Sequence, residues 1–283
     1  QSGALADTFS AAFTLPRWRV GLVTAVLALA ILLGGIRRIA EISTVLVPVM
    51  ALLYLGGGLA VILGNLRRLP EELILMLRCA VAPEAALGGA LGIVTRREAL
   101  RWGVARSVFS NEAGLGSASI TAACADTEDP VKQGLISMTG VFFDTMVICT
   151  VTGLAICCSG TLGAADGNGL PLTGAALTLR AFETVLGPLA PWLIGAALGL
   201  FAFTSVLGCA VQAETTASYL LGPEAVRPCR VLYGLAVFAG AVIPMATVLQ
   251  LTDLANALMA FPNLVCLLLL SGEIAGECGR KER

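Results

Sequence analysis

Long apolar runs, each closed by a small cluster of charge, set the rhythm of this chain. Val20 to Ile36 ends at Arg37-Arg38, and Ile42 to Leu63 ends just before Arg67-Arg68. A helix that crosses a bilayer needs about 20 mostly apolar residues, so both runs predict membrane spans. The same rule predicts spans at Leu100 to Cys124, Gln133 to Cys158, Leu189 to Val211, Val231 to Val248 and Leu251 to Leu270. Pro244 and Pro262 are expected to kink the last two, because proline removes a helical hydrogen bond. Pro70 to Ala99 is interrupted by Pro83 and Gly88-Gly89 and reads as an amphipathic or re-entrant connection, and Ser159 to Thr173, rich in Gly, Asp and Asn, reads as a loop.

One span carries a polar, glycine-punctuated interruption, Asn111-Glu112-Ala113-Gly114-Leu115-Gly116-Ser117-Ala118. The bilayer core offers no water to free N–H and C=O groups, so non-helical backbone survives there only when buried in protein or lining a cavity. A bound ion or solute can use the groups so released.

Composition narrows the class further. The 283 residues are 57% hydrophobic and 13% charged, with a mean hydropathy of +0.87, against roughly a quarter charged in soluble domains. The chain is an all-α polytopic membrane protein. Its net charge of −1 and scattered Lys and Arg form no basic patch, which excludes nucleic acid as a partner. The nine Cys fall mostly inside apolar runs and the chain has no His, so the cysteines read as small buried hydrophobes rather than metal ligands. No signal-peptide pattern follows Gln1, and a truncated N-terminus is expected. Lys and Arg accumulate on the cytoplasmic side of membranes, so the tail Arg280-Lys281-Glu282-Arg283 places the C-terminus inside.

Six ordered segments carry a resemblance: Gly34-Gly-Ile-Arg-Arg-Ile-Ala40, Asn111 to Ala118, Pro130-Val-Lys-Gln-Gly-Leu135, Phe143-Asp-Thr-Met-Val-Ile-Cys-Thr150, Phe201-Ala-Phe-Thr-Ser205 and Met259-Ala-Phe-Pro-Asn-Leu264. Through them the chain resembles the alanine or glycine:cation symporter family. The resemblance implies a leucine-transporter-like fold of two five-helix inverted repeats around a midplane site. On that register residues 1–283 form one transmembrane domain, truncated to roughly core helices four to ten, with Gln1 to Ala6 ending helix three.

Several residues are candidates for the chemistry. Asp144 sits mid-span, where a carboxylate costs roughly 2.5 to 3.5 kcal/mol on insertion scales. It needs a partner, and sodium would serve, as would a cap from a neighbouring hydroxyl such as that of Thr145. The Phe201 carbonyl and the hydroxyls of Thr204 and Ser205 share a helical face, which suits a small cation or simple bonding back to the helix. The resemblance favours sodium, because the segment matches helix eight of the family, where hydroxyls reach ion and substrate. Around the break, Gly114, Gly116 and Ser117 suit a substrate carboxylate, with Asn111 as a side-chain ligand and Val108 as an apolar wall. Glu112 reads either as part of the ion network or as an acid tied to Arg106. Cys209 stands where the family usually has a Trp beside the substrate, which implies an enlarged pocket.

The function implied by the resemblance is sodium-coupled symport of a small neutral amino acid such as alanine or glycine across the cell membrane. No cofactor is expected beyond the coupling ion; the partners are the amino acid, sodium and the lipid bilayer. The rival readings are an inactive half-transporter or membrane scaffold, a channel, and an intramembrane enzyme. The enzyme is disfavoured because no His is present and no acid pair stands at a catalytic spacing.

Overall fold

A computed structural model describes residues 1–81, 96–165, 169 and 171–281. Every regular element among them is helical. In chain order these are α1 (Ser2–Phe13), α2 (Arg17–Leu32), α3 (Gly35–Gly64), α4 (Leu69–Val81), α5 (Arg96–Asn111), α6 (Ser117–Ala122), α7 (Pro130–Phe142), a π-helical segment (Phe143–Cys149), α8 (Thr150–Ser159), α9 (Gly174–Leu186), α10 (Ala190–Leu221), α11 (Val226–Val242) and α12 (Met245–Lys281). Short 3₁₀ turns at Gly187–Leu189 and Pro223–Ala225 lead into α10 and α11.

Among the described residues, five helical segments are long and apolar enough to cross a membrane: Gly35–Gly64, Pro130–Ser159, Gly174–Leu221, Pro223–Val242 and Met245–Gly276. Two expected spans fall short of that standard. Val20 to Ile36 is cut because α2 has 16 residues, and the next helix starts at Gly35, whose φ of 69° only glycine adopts freely. Arg37 and Glu41 pair at 3.5 Å along the first turns of α3. The charged end is therefore helical, and hydropathy had marked only the apolar part of a 30-residue helix. Leu100 to Cys124 is divided by the expected break, into α5 and α6.

Pro244 does not kink a helix but separates two. Ile243 before it is extended, at φ −63° and ψ 142°, as the proline ring requires of its predecessor. Pro262 lies inside the continuous α12. The expected connection from Pro70 begins as α4, with Glu71 and Glu72 in its first turn and Arg78 in its last, the order that complements the helix dipole. Pro83, Gly88, Gly89, residues 166–168 and 170 of the expected loop, and the tail residues Glu282 and Arg283 lie outside the described residues. Cys158 is buried, but Cys149 and Cys266 lie on exposed faces of their helices; a weakly polar thiol on a membrane span needs no protein neighbour to leave water.

The chain divides into two compact units, Gln1–Arg96 with Ile148–Met245, and Arg97–Val147 with Ala246–Arg283. In the first, α2 packs on α11, α3 on α10 and α8, and α1 against α10, α2 and α11. Tyr54, Val61, Phe182 and Ile194 anchor its core. Small residues permit the close approach: a Cβ on Gly58 would overlap the Val151 side chain, and one on Gly57 would stand 2.9 Å from Ile194. Arg230 grips Glu214 with two hydrogen bonds of 2.7 and 2.9 Å, tying the start of α11 to α10. In the second unit, Arg106 of α5 donates to both carboxylate oxygens of Asp253 on α12, at 2.6 and 2.7 Å.

Candidate functional site

The break in the second unit arises from three left-handed residues. Glu112 has φ 50°, Gly114 φ 74° and Gly116 φ 83°. Glycine adopts this region without steric cost, whereas a side chain there costs roughly 1–2 kcal/mol. Glu112 is tied down: the Ser117 hydroxyl donates to its Oε2 at 2.5 Å, lacing the two sides of the break together. Ala113 N–H reaches back to the Val108 carbonyl at 3.2 Å, and Leu115 N–H to that of Glu112 at 3.2 Å. Leu115 and Ser117 are buried.

Beside the break, Phe143–Cys149 is wound as a π-helix, a rare geometry that occurs mostly as a local insertion in α-helices and is frequent at functional sites. Within the same unit, the Ser110 hydroxyl donates to Asp144 Oδ2 at 2.9 Å, and the Thr145 hydroxyl donates to Asn111 Oδ1 at 3.1 Å. The Asn111 amide donates in turn to the Ser107 carbonyl at 3.1 Å. Asn111 and Asp144 thus belong to one polar cluster. The hydroxyl on Asp144 is that of Ser110, not of the adjacent Thr145, which instead serves Asn111.

Arg106 takes a partner other than Glu112, to which one of the two readings of that acid tied it. Its guanidinium pairs with Asp253 and lies 5.6 Å from the ring centroids of both Trp102 and Phe109. The sequence suggested Glu112 because it lies nearby in the chain; Asp253 is 147 residues away.

The remaining candidates lie in the first unit, on α10. The hydroxyls of Thr204 and Ser205 both donate to the Phe201 carbonyl, each at 3.0 Å, and Thr204 also reaches the Leu200 carbonyl at 3.0 Å. Three oxygens are therefore gathered within hydrogen-bond distance on one helical face. A hydroxyl that donates its proton to a carbonyl keeps two lone pairs, so this back-bonding leaves the oxygens able to face a cation. A Cβ built on Gly208, one turn beyond Thr204 and Ser205, would meet nothing within 4 Å. Cys209 follows it on the same helix and is partly buried.

The candidate residues fall into two groups. Val108, Asn111, Gly114, Gly116, Ser117 and Asp144 belong to the second unit, and Phe201, Thr204, Ser205 and Cys209 to the first. Asn263 of α12 was not singled out, although it stands in the Met259 to Leu264 segment. Its side-chain amide donates to the Gly114 carbonyl at 3.0 Å. The π-helix had no signal in the hydropathy pattern.

Comparisons with known proteins identify the family. The sequence profile of the sodium:alanine symporter family matches residues 1–279. An uncharacterized transporter of Haemophilus influenzae is 40% identical over 95% of this chain and 58% of its own length. A sodium/alanine symporter, AgcS, of Methanococcus maripaludis is 38% identical over 98% of this chain and 59% of its own. A probable sodium/glutamine symporter, GlnT, of Bacillus subtilis is 37% identical over 96% of this chain and 55% of its own. The chain thus spans less than two thirds of the length of the curated relatives it matches. With its apolar helices and this profile match, the chain is part of a multi-pass membrane protein and belongs to the sodium:alanine symporter family.

Proposed function

We propose that the complete polypeptide containing residues 1–283 is a secondary transporter that couples inward sodium flow to uptake of a small neutral amino acid. The observation that carries this reading is the broken helix Asn111–Ser117, with its polar cluster at Asp144, in a member of a sodium symporter family. Freed backbone groups at such a break suit a solute with both an ammonium and a carboxylate. In this reading Gly114, Gly116 and Ser117 meet the carboxylate with Asn111 and Val108 beside them, and the resemblance adds Ser205 and Cys209 of the first unit as further candidate contacts.

Sodium takes oxygen ligands, and we assign it the Phe201 carbonyl with Thr204 and Ser205, with Asp144 near a second coordination point. Relatives are named for alanine and for glutamine, so the pocket tolerates variation in size within the family. A Cys at position 209 places this chain on the roomier side. Residues 1–283 correspond to roughly core helices four to ten of a leucine-transporter-like five-plus-five core, with the C-terminus in the cytoplasm. Helices of the first repeat complete the site, consistent with coverage of 58% and 59% of the first two relatives.

The test is equilibrium binding of labelled alanine, with glutamine and glycine as competitors. The complete polypeptide should bind saturably and only with sodium, and residues 1–283 alone should not. Saturable, sodium-dependent binding by residues 1–283 alone would show that the site is assigned to the wrong helices. Sodium-independent binding by the complete protein would overturn the coupling.

A further inference from the structure

The geometry points to Asn263 as a positioning residue that holds the helix break in its working shape, a role that rests on the transport reading above. Two observations within the second unit carry it. The Asn263 side-chain amide donates to the Gly114 carbonyl at 3.0 Å. Its Oδ1 also lies only 2.8 Å from where a Cβ on Gly116 would stand, so the side chain is packed against the second glycine of the break as well. One side chain from α12 therefore bonds one left-handed residue of the break and abuts another.

A carbonyl and the N–H of its own peptide unit point in opposite directions, because the peptide is planar. Fixing the Gly114 carbonyl toward α12 consequently fixes the Leu115 N–H away from it, where it meets the Glu112 carbonyl at 3.2 Å. Gly114 has access to more backbone conformations than any other residue type, and with the Leu115 N–H restraining the peptide on one side only, its orientation depends on this bond. The aim of the following amides, those proposed to meet the substrate carboxylate, would be lost with it. The neighbouring Pro262 lacks an N–H and leaves the Leu258 carbonyl without its helical donor, which loosens α12 at the point where Asn263 turns to the break. Arg106–Asp253 binds the same two helices ten residues earlier along α12, so α12 holds the broken helix by two polar contacts, and of these two the Asn263 bond lies at the break itself.

Asn263→Leu tests this most sharply, because leucine has the same branching at Cγ and a similar volume but no donor. It sits in an apolar span, where leucine favours insertion. In the complete protein the concentration of alanine giving half-maximal uptake should rise about five- to tenfold, the loss expected for one neutral hydrogen bond. Maximal rate and surface expression should stay within twofold of wild type. Sodium half-saturation, measured at saturating alanine, should also move less than twofold. Asn263→Ala should behave like Asn263→Leu if the bond matters, whereas if only packing against Gly116 matters Asn263→Leu should behave like wild type and Asn263→Ala should not.

Hydrogen–deuterium exchange supplies a readout that does not depend on transport. Both variants should take up deuterium faster across residues 112–118, with exchange across 248–258 of α12 unchanged. Wild-type exchange at the break and wild-type alanine affinity in Asn263→Leu would overturn the positioning role. Absence of sodium-stimulated uptake in the wild-type protein, with the exchange difference intact, would instead overturn the transport reading and leave Asn263 as the clamp of the break.

Discussion

Removing the Thr204 and Ser205 hydroxyls separates helix maintenance from ion binding, because the two roles predict effects of different size on different observables. Both hydroxyls donate to the Phe201 carbonyl at 3.0 Å, and Thr204 shares its proton with the Leu200 carbonyl. Those carbonyls are three and four residues back, so they sit in the helical ladder already, and the extra bonds add little to helix stability. Thr204→Val keeps the branched shape beside Met50, 3.8 Å from the hydroxyl, and Ser205→Ala removes a single oxygen. If back-bonding were the whole role, each variant would lose less than about 1 kcal/mol of stability and leave transport unchanged. If the oxygens coordinate sodium, each substitution deletes one ligand from a small set, at about 1–2 kcal/mol. That raises the sodium concentration for half-maximal uptake roughly five- to thirtyfold. The assay is alanine uptake by the complete protein at varied sodium, with melting of the purified protein as a control. Unchanged sodium dependence in both variants would refute the assignment of α10 to the ion.

Other substitutions probe separate parts of the account. Cys209→Trp should narrow the accepted amino acids toward alanine and glycine in competition uptake, since each methylene excluded from a pocket is worth roughly 1–3 kcal/mol; an identical competition profile would remove Cys209 from the pocket wall. Glu214→Gln breaks a bidentate pair whose side chains are only 17% and 23% exposed. It should lower the stability of detergent-purified protein by about 2 kcal/mol, below the roughly 3–5 kcal/mol of a fully buried pair because water still reaches it, read as a drop in melting temperature. Ser110→Ala removes the hydroxyl donor to Asp144 and should reduce maximal uptake several-fold while leaving expression near wild type; unaltered uptake would show that Asp144 needs no such partner.

The parts of the fold that hydropathy governs were legible in the sequence. Spans around α3, α7 to α8, α10 and α12 follow from apolar runs long enough for a bilayer, and the break between α5 and α6 follows from Gly114 and Gly116 in a polar interruption. Helix ends were less legible, because a charged turn such as Arg37-Arg38 is a good helix former that hydropathy assigns to a loop. Gly174–Leu186 was missed as a helix for a related reason: it carries Arg180 and Glu183, which pair at 3.1 Å on its exposed side. The polar contacts depended on tertiary proximity. Arg106 finds Asp253 and Gly114 finds Asn263 across 147 and 149 residues, and chain spacing gives no hint of either. The π-wound segment at Phe143 carries Asp144 and Thr145, which meet Ser110 and Asn111 in a pairing that periodicity does not encode.

Uphill transport tests the central claim most directly. The complete polypeptide, purified into sealed vesicles and given an inward sodium gradient, should accumulate labelled alanine, or the preferred neutral amino acid found by competition, above its external concentration. Collapsing the gradient with a sodium ionophore should release it. Equilibration to equal concentrations on both sides, indifferent to the sodium gradient, would contradict sodium-coupled symport.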